Sequence, residues 1–238
     1  MHNRKGGAMF TARLDFNSFT DWLQPKSASW GNVLRPARET SALRACTVNI
    51  SGPDAADRAE LEQFVRESFR RVYGADVRHF MPELFSVRDY RGELLGVAGL
   101  RRAANEPLFL EVYLDQPVEA VLAARIGQPV ARRDIVEIGN VAVANSGMAR
   151  YLIAELVEYI HTTDIKWAVF TTIPALRNAA NKMGLHLERL CKAAIGRLSP
   201  EARSEWGTYY DHAPEVMAVG RKWGQRLLQL PEFSQCFR

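Results

Sequence analysis

The chain has 238 residues, of which 47% are hydrophobic and 24% charged, and it contains five tryptophans. This composition excludes a wholly disordered chain, which would be poor in apolar residues, and favours one globular domain with an appendage. The 31 lysines and arginines outnumber the 27 acids, for a formal net charge of +4. Because the basic residues are dispersed, we expect no nucleic-acid partner.

Three cysteines, Cys46, Cys191 and Cys236, lie far apart in the sequence. A small secreted domain held by disulfides would contain a denser and usually even set. The N-terminal residues lack the apolar stretch of a signal peptide, and no run approaches the about 20 apolar residues of a membrane span. We therefore expect a cytoplasmic protein.

Residues 1–45 show no sustained helical or alternating period. We expect them to form a partly irregular N-terminal arm, followed by a single domain over residues 46–238. Four large aromatic residues within the arm predict that it docks on another surface, since exposed aromatics promote aggregation.

The spacing of apolar residues predicts alternating strands and helices. In chain order these are a strand over 45–50, a helix over 55–73, a hairpin of strands over 84–87 and 94–100, a strand over 108–114, a helix over 117–125, a strand over 135–143, a helix over 148–162, a strand over 167–171, a helix over 174–183 and a strand over 185–194. Such alternation is typical of an α/β or α+β sandwich.

One acid, Glu137, lies inside the otherwise apolar run 136–143. Because burial of an unpaired charge is costly, the residue is a candidate general base with a pKa tuned by partial burial. The alternative is a paired acid on a half-exposed strand, with Arg101 or Arg150 as its partner.

A short turn at 145–147 and a helix that begins near Met148 follow this strand. The backbone N–H groups of Ser146, Gly147 and Met148, together with the charge of Arg150, are suited to a pyrophosphate. The alternative is a simple helix cap. The sequence contains neither a Walker loop nor a three-glycine dinucleotide motif.

Glu111 and Tyr113 share one face of the predicted strand over 108–114. They either line a pocket or form the solvated face of a sheet. The five histidines show no metal-ligand spacing, so no metal site is predicted.

Several motifs occur in one order along the chain. They are Tyr73-Gly74-Ala75, Phe80-Met81-Pro82, the runs 108–117 and 135–140, Phe170-Thr171-Thr172, Leu176-Arg177-Asn178 and Trp206-Gly207-Thr208-Tyr209-Tyr210. On these motifs the chain resembles the bacterial thermostable hemolysin family over roughly residues 55–220, with a core similar to GNAT acyltransferases and acyl-homoserine lactone synthases. The resemblance implies an α+β fold, an α/β/α sandwich with a mixed, mostly antiparallel central sheet flanked by helices.

The resemblance further implies transfer of an acyl group from a thioester, acyl-CoA or an acyl carrier protein, to an amine-bearing small molecule, without a tightly bound cofactor. A general base would take the amine proton, a tyrosine would protonate the leaving thiolate, and backbone N–H groups would polarise the thioester carbonyl. The residues implied are, for catalysis, Glu137, Tyr113, Tyr209 and Tyr210; for the donor, Val141, Val143, Ser146, Gly147, Met148 and Arg150; and for the substrate, Glu111, Asn140, Thr171, Arg177, Asn178 and Trp206.

Gly139 lies inside the strand and predicts a β-bulge that separates the strands and admits the donor's pantetheine arm. Three features depart from the related enzymes. Gly139-Asn140 stand where the lactone synthases have Ser-Arg, the turn at 145–147 is shorter than the usual pyrophosphate loop, and Ala180 occupies the place of a tyrosine acid. An acyl carrier protein or another acyl donor therefore remains open beside coenzyme A.

Two other functions compete with the enzyme. The family's description implies a membrane-active protein with peripheral membrane contact, for which the segment 216–230, with Trp223, Leu227 and Leu228 beside basic residues, is the candidate. The alternative for that segment is a packing helix with snorkelling basic side chains. The third function is that of a non-catalytic acyl-binding protein.

Overall fold

The computed structural model describes residues 46–145, 148–174, 177–178, 181 and 186–229, and for residues 150 and 227 the backbone alone. The predicted arm and much of the predicted helix over 174–183 lie outside the described residues.

Within the described residues the strands form one sheet. In chain order they are β1 (Thr47–Ser51), β2 (Glu83–Arg88), β3 (Leu94–Arg102), β4 (Ile135–Val143), β5 (Trp167–Thr172), β6 (Glu188–Lys192) and β7 (Glu215–Gly220). Their order across the sheet is β1-β2-β3-β4-β5-β7-β6. The β4–β5 pair is parallel, and every other described pair is antiparallel.

Helices cover both faces of this sheet. They are α1 (Arg58–Tyr73), α2 (Val118–Ile126), α3 (Ala149–His161), α4 (Pro200–Ser204) and α5 (Arg221–Leu228). Leu84 and Phe85 are neighbours on β2 and so point to opposite faces. Leu84 belongs to a buried cluster with Leu61 of α1, whereas Phe85 belongs to another with Leu152 and Leu156 of α3. The predicted α/β/α sandwich with a mixed, mostly antiparallel sheet is confirmed.

The predicted strand over 108–114 is wrong. Phe109–Tyr113 forms a 3₁₀ helix in which Leu110 and Tyr113 are buried. Leu108, Leu110, Val112 and Leu114 alternate in the sequence as in a strand, but Val112 is 38% exposed and the buried pair Leu110 and Tyr113 has the three-residue spacing of one face of a 3₁₀ helix. The carboxylate of Glu111 accepts the N–H of Leu108 at 2.9 Å, which fixes the start of the turn.

The segment 216–230 is not one continuous amphipathic helix. Its first part lies in β7, where Val216, Met217 and Ala218 are fully buried between β5 and β6. The ring of Trp223, on α5, packs against His186 with ring centroids 5.4 Å apart. Membrane contact by this segment therefore finds no support in the packing, and no helix among the described residues is long and apolar enough to cross a bilayer.

Candidate active site

Glu137 lies at the centre of the sheet, on β4. Its side chain is 2% exposed and shares a face with Ile135 and Gly139. Across the sheet its partners are Arg101 on β3 and Val169 on β5. A carboxylate in this position has little water around it and depends on hydrogen bonds from the protein.

Two backbone N–H groups of the 3₁₀ helix supply those hydrogen bonds. Phe109 N–H donates to Oε2 of Glu137 at 2.8 Å, and Leu110 N–H donates to Oε1 at 2.9 Å. Burial raises the pKa of Glu137 to about 7, while the two N–H donors and the nearby charge of Arg101 act in the opposite direction. The carboxyl group is therefore poised to take or release a proton near neutral pH.

The predicted ion pair of Glu137 with Arg101 is not formed. Arg101 lies next to Glu137 and influences its pKa, but its nearest acidic partner is Glu106, with Nε to Oε2 at 3.6 Å. The side chain of Arg150, the other proposed partner, lies outside the described residues. Among the described side chains no cation pairs with Glu137, and the backbone donors of Phe109 and Leu110 hold its carboxylate.

Seven aromatic rings stand on the same side of the sheet as Glu137 and contact one another. We call them the aromatic cluster: Phe69, Tyr73, Phe109, Tyr113, Trp206, Tyr209 and Tyr210. Its two sequence-distant halves are held together where Thr208 N–H donates to the carbonyl of Tyr73 at 2.9 Å. Gly207 has φ +49°, and a Cβ there would stand 2.0 Å from that carbonyl oxygen, so only glycine fits.

The hydroxyl groups of the cluster form a small polar network. Tyr113 and Tyr210 share a hydrogen bond between their hydroxyls, and the Tyr209 hydroxyl donates to the carbonyl of Thr171 at 3.4 Å. Burial raises the pKa of all three tyrosines, so they stay neutral at physiological pH and keep a hydroxyl that donates hydrogen bonds.

A β-bulge interrupts β4 at residues 140–141, three residues after Glu137. Gly139 pairs with Gly99 and Ala142 pairs with Val97, so two residues of β4 stand opposite one of β3. Asn140, in the bulge, has φ +49°, and its side chain accepts the N–H of Met81 at 2.8 Å. The bulge predicted near Gly139 is confirmed.

The bulge lies where β4 and β5 separate. The two strands pair from Ile135–Trp167 to Ile138–Phe170, and no pairing is found beyond that point in the described residues. A cavity of about 490 Å³ occupies the opening. Its walls come from both faces of the sheet: the aromatic cluster and Glu137 on one side, and apolar residues of α3, including Leu152, Leu156 and Ile160, on the other.

A model of the family described as thermostable hemolysin matches residues 51–225. The chain belongs to the thermostable hemolysin family. No curated protein matches this family member.

Solved structures share the fold of this thermostable hemolysin family member at low sequence identity. The AHL synthase LasI is 14% identical with a TM-score of 0.54, covering 78% of this chain and 95% of its own. TofI, solved in a ternary complex with an inhibitor and MTA, is 17% identical with a TM-score of 0.53, covering 81% of this chain and 100% of its own. The predicted acyltransferase-like core is thereby confirmed as a fold.

Most of the residues predicted for the site line the cavity of this hemolysin-family chain. Those that do are Glu137, Tyr113, Tyr209, Tyr210, Val141, Val143, Asn140, Thr171, Arg177 and Trp206. The carboxylate of Glu215 holds the guanidinium of Arg177 at the rim.

Other predicted residues lie elsewhere. Glu111 is not among the lining residues; its carboxylate is bound by Arg132. Asn178 and Met148 do not line the cavity, and Met148 is the residue that caps α3. Ser146, Gly147 and the side chain of Arg150 lie outside the described residues, as does Ala180.

Sequence reasoning missed several residues that shape the cavity, namely Phe69, Tyr73, Phe109 and Met81. The motifs Tyr73-Gly74-Ala75 and Phe80-Met81-Pro82 contained the signal for two of them. Phe109 was hidden because its backbone, rather than its ring, contacts Glu137. Among the described residues no cluster of three or more metal-ligating side chains occurs.

Proposed function

We propose that this protein is an N-acyltransferase that moves an acyl group from a thioester to the amine of a small molecule, with Glu137 as general base. The observation that carries the proposal is the position of Glu137: a buried carboxylate with a pKa of about 7, in a large cavity where two central strands separate. A base with a pKa near the working pH combines a useful deprotonated fraction with adequate basicity.

The free edge of β4 supports a role in binding the thioester. Beyond Ile138 the backbone groups of β4 that face β5 have no strand partner among the described residues. Such N–H groups are suited to bind the thioester carbonyl and to stabilise the oxyanion of a tetrahedral intermediate. The predicted donor contacts Val141 and Val143 lie on this edge and line the cavity.

The balance of the reaction is simple. The amine nitrogen forms a bond to the thioester carbon and gives its proton to Glu137, and the carbon–sulfur bond breaks. The thiolate then takes a proton from a tyrosine hydroxyl of the Tyr113–Tyr210 pair, which lies in the same cavity. The base and the acid are reset through solvent, so no further reagent is consumed.

The apolar half of the cavity favours a fatty acyl group over an acetyl group. It follows α3 from Leu152 to Ile160, a span of about 12 Å at the helical rise. Apolar walls of this kind bind alkyl chains through removal of surface from water.

The donor is proposed to carry a phosphopantetheine arm. Arg71 is exposed on α1, lines the cavity and makes no ion pair among the described residues, so it is free to contact a phosphate or an acidic carrier protein. Both acyl-CoA and an acyl carrier protein meet this requirement, and the assay must contain both.

The test is an acyl-transfer assay with acyl-CoA or acyl carrier protein donors and a panel of amines, read by thiol release and by the mass of the acylated amine. We expect Glu137→Gln to lower turnover by about 10²- to 10⁴-fold, the usual range for loss of a general base. Glu205→Gln is the matched control, because Glu205 also lines the cavity but lies at the end of α4 and not on β4. No thiol release with any donor, or full turnover by Glu137→Gln, would overturn the proposal.

A further inference from the structure

Arg132 binds Glu111 through a bidentate ion pair. Nη1 donates to Oε1 at 2.6 Å and Nη2 donates to Oε2 at 2.8 Å, while Nε donates to the carbonyl of Ala103 at 2.7 Å. The two side chains are 29% and 17% exposed. A fork-to-fork pair of this kind fixes the orientation of the carboxylate as well as its position.

Glu111 uses its remaining capacity to hold the backbone at two points. Oε2 accepts the N–H of Leu108 at 2.9 Å, and Oε1 accepts the N–H of Val118 at 3.0 Å. Leu108 precedes the 3₁₀ helix and Val118 begins α2. The hydrogen bond from Arg132, with help from these backbone donors, lowers the pKa of Glu111 to about 2, so the clamp stays charged at neutral pH.

The clamped segment is the one that holds Glu137. The two N–H groups that bind the Glu137 carboxylate belong to Phe109 and Leu110, the residues directly after Leu108. Tyr113, whose hydroxyl bonds that of Tyr210 in the cavity, is in the same helix. One short helix thus presents both the donors to the base and the tyrosine hydroxyl; Glu111 anchors its first residues, and Arg197 binds the carbonyls of Val112 and Leu114 at its other end.

From this geometry we infer that Glu111 and Arg132 are positioning residues that hold the 3₁₀ helix against Glu137 and so maintain its two backbone donors. Neither lines the cavity. The effect of these two residues on turnover rests on the proposed function, but their effect on the pKa of Glu137 does not.

The charge of Glu111 and the hydrogen bonds that it maintains have opposite effects on the pKa of Glu137. The negative charge of Glu111 raises the pKa of Glu137, whereas the two backbone donors lower it. The other groups that act on Glu137 are Arg101 on β3, which lowers its pKa, and the neutral Tyr113; Tyr209 and Tyr210 line the same cavity. Loss of the Glu111 charge alone would therefore lower the pKa of Glu137, and loss of its clamp would raise it.

Glu111→Gln separates these two roles, since a glutamine amide turns an N–H₂ group toward N–H or guanidinium donors that need an acceptor. The measurement is a pH titration of ¹³C-carboxyl glutamate signals of the full chain without substrate, with the Glu137 signal assigned by its absence in Glu137→Gln. We expect the pKa of Glu137 to rise by about one in Glu111→Gln, as the donors loosen. An unchanged or lowered pKa overturns the inference.

Two further variants keep the test decisive. Arg132→Lys retains the positive charge but loses the bidentate guanidinium, and we expect it also to raise the pKa of Glu137. If Glu111→Gln fails to fold, the titration of Arg132→Lys decides in its place. An unchanged pKa of Glu137 in Arg132→Lys would then overturn the inference. Glu119→Gln is the matched control, because Glu119 also binds Arg132 at 2.8 Å yet accepts no hydrogen bond from the 3₁₀ helix. A rise in Glu119→Gln equal to that in Glu111→Gln would assign the effect to charge near Arg132 and overturn the inference.

The same variants distinguish this inference from the proposed function. Where turnover exists, the acidic limb of the kcat/KM profile should move to higher pH in Glu111→Gln together with the titrated pKa. If no donor supports turnover, the titration still gives its answer.

Discussion

Gly99 and Gly139 face each other across β3 and β4, and a Cβ on either would collide with Met81. The distance from such a Cβ would be 2.5 Å to Met81 Cγ at position 99 and 2.4 Å to Met81 Cε at position 139. The two glycines thus leave the space that the Met81 side chain fills, beside the bulge at the cavity.

The two positions should respond differently to alanine. Met81 Cε is the mobile end of a flexible side chain, whereas Cβ and Cγ are fixed near the backbone, which Asn140 ties down. We expect Gly99→Ala to lower the free energy of unfolding by about 1–3 kcal/mol and Gly139→Ala by less. Urea denaturation measures both. In Gly99→Ala, a second change Met81→Ala removes the Cγ contact and should recover part of the loss; no recovery would assign the loss to the contacts that remain, with Cβ of residue 81 at 2.7 Å and Asn140 Oδ1 at 2.9 Å.

Activity should depend on the ionisation of Glu137. Because a general base acts in its deprotonated form and the pKa of Glu137 is raised to about 7, kcat/KM should increase tenfold per pH unit below neutrality and level off above it. An acceptor amine also loses a proton as pH rises, so the profile must be repeated with an amine of lower pKa. A limb that follows the amine, rather than staying near pH 7, would contradict the assignment.

The free energy of unfolding should also depend on the ionisation of Glu137, and it should decrease as the pH rises. The folded state binds a proton at Glu137 between pH 4.5 and 7 that the unfolded state has released, so stability falls as pH rises through this window, by up to about 3 kcal/mol. Glu137→Gln lacks this titration. The difference in unfolding free energy between parent and variant, measured in urea at pH 5 and pH 8, should therefore shift in favour of the variant at the higher pH. A difference independent of pH would mean that the carboxyl has an ordinary pKa.

The apolar half of the cavity should set acyl preference. Ala168 on β5 is buried and lines this half. Ala168→Leu adds apolar volume there, and we expect kcat/KM for long acyl donors to fall roughly 10- to 200-fold while short donors are little affected. Ala123→Leu, on α2 away from the cavity, is the control. Equal losses for long and short donors would indicate general damage to the site.

Any lysis of red cells should be caused by the reaction product and not by the protein itself. An amide formed from a fatty chain and a polar amine is an amphiphile that enters bilayers. A small-molecule filtrate of a complete reaction should lyse red cells, even after heating, and a reaction with Glu137→Gln should not. Equal lysis of liposomes by parent and Glu137→Gln without any donor would instead favour a protein that acts on membranes directly.

Single residues that depart from a local apolar pattern account for what the sequence predicted well at the site. Glu137, as the lone acid of an apolar strand, and Gly139, as a glycine within it, each predicted a feature that the structure contains: a buried carboxyl and a bulge. Both signals are local, since each depends on a residue type that contradicts its immediate neighbours.

The failures arose where the deciding contacts are distant in sequence. The 3₁₀ helix over 109–113 depends on Arg132 and Val118 binding Glu111, which no local pattern reveals. The strand β7 contains a short apolar run, Val216–Val219, and is followed directly by α5; a run of that length does not distinguish strand from helix. The pairing of Tyr73 with Thr208 likewise joins residues that only the tertiary fold brings together.

The single parallel interface of the described sheet, between β4 and β5, explains why the cleft lies there. The two strands of an antiparallel hairpin are joined at adjacent ends by a tight turn. Two parallel neighbours are joined by a long crossover instead, so no turn links their adjacent ends. Here the crossover contains α3, and beyond Ile138 and Phe170 the described residues of β4 and β5 pair with β3 and β7 and not with each other. The connectivity of the chain therefore lets these two strands separate without breaking a tight turn, and access to the cavity follows from the topology before any side chain is considered.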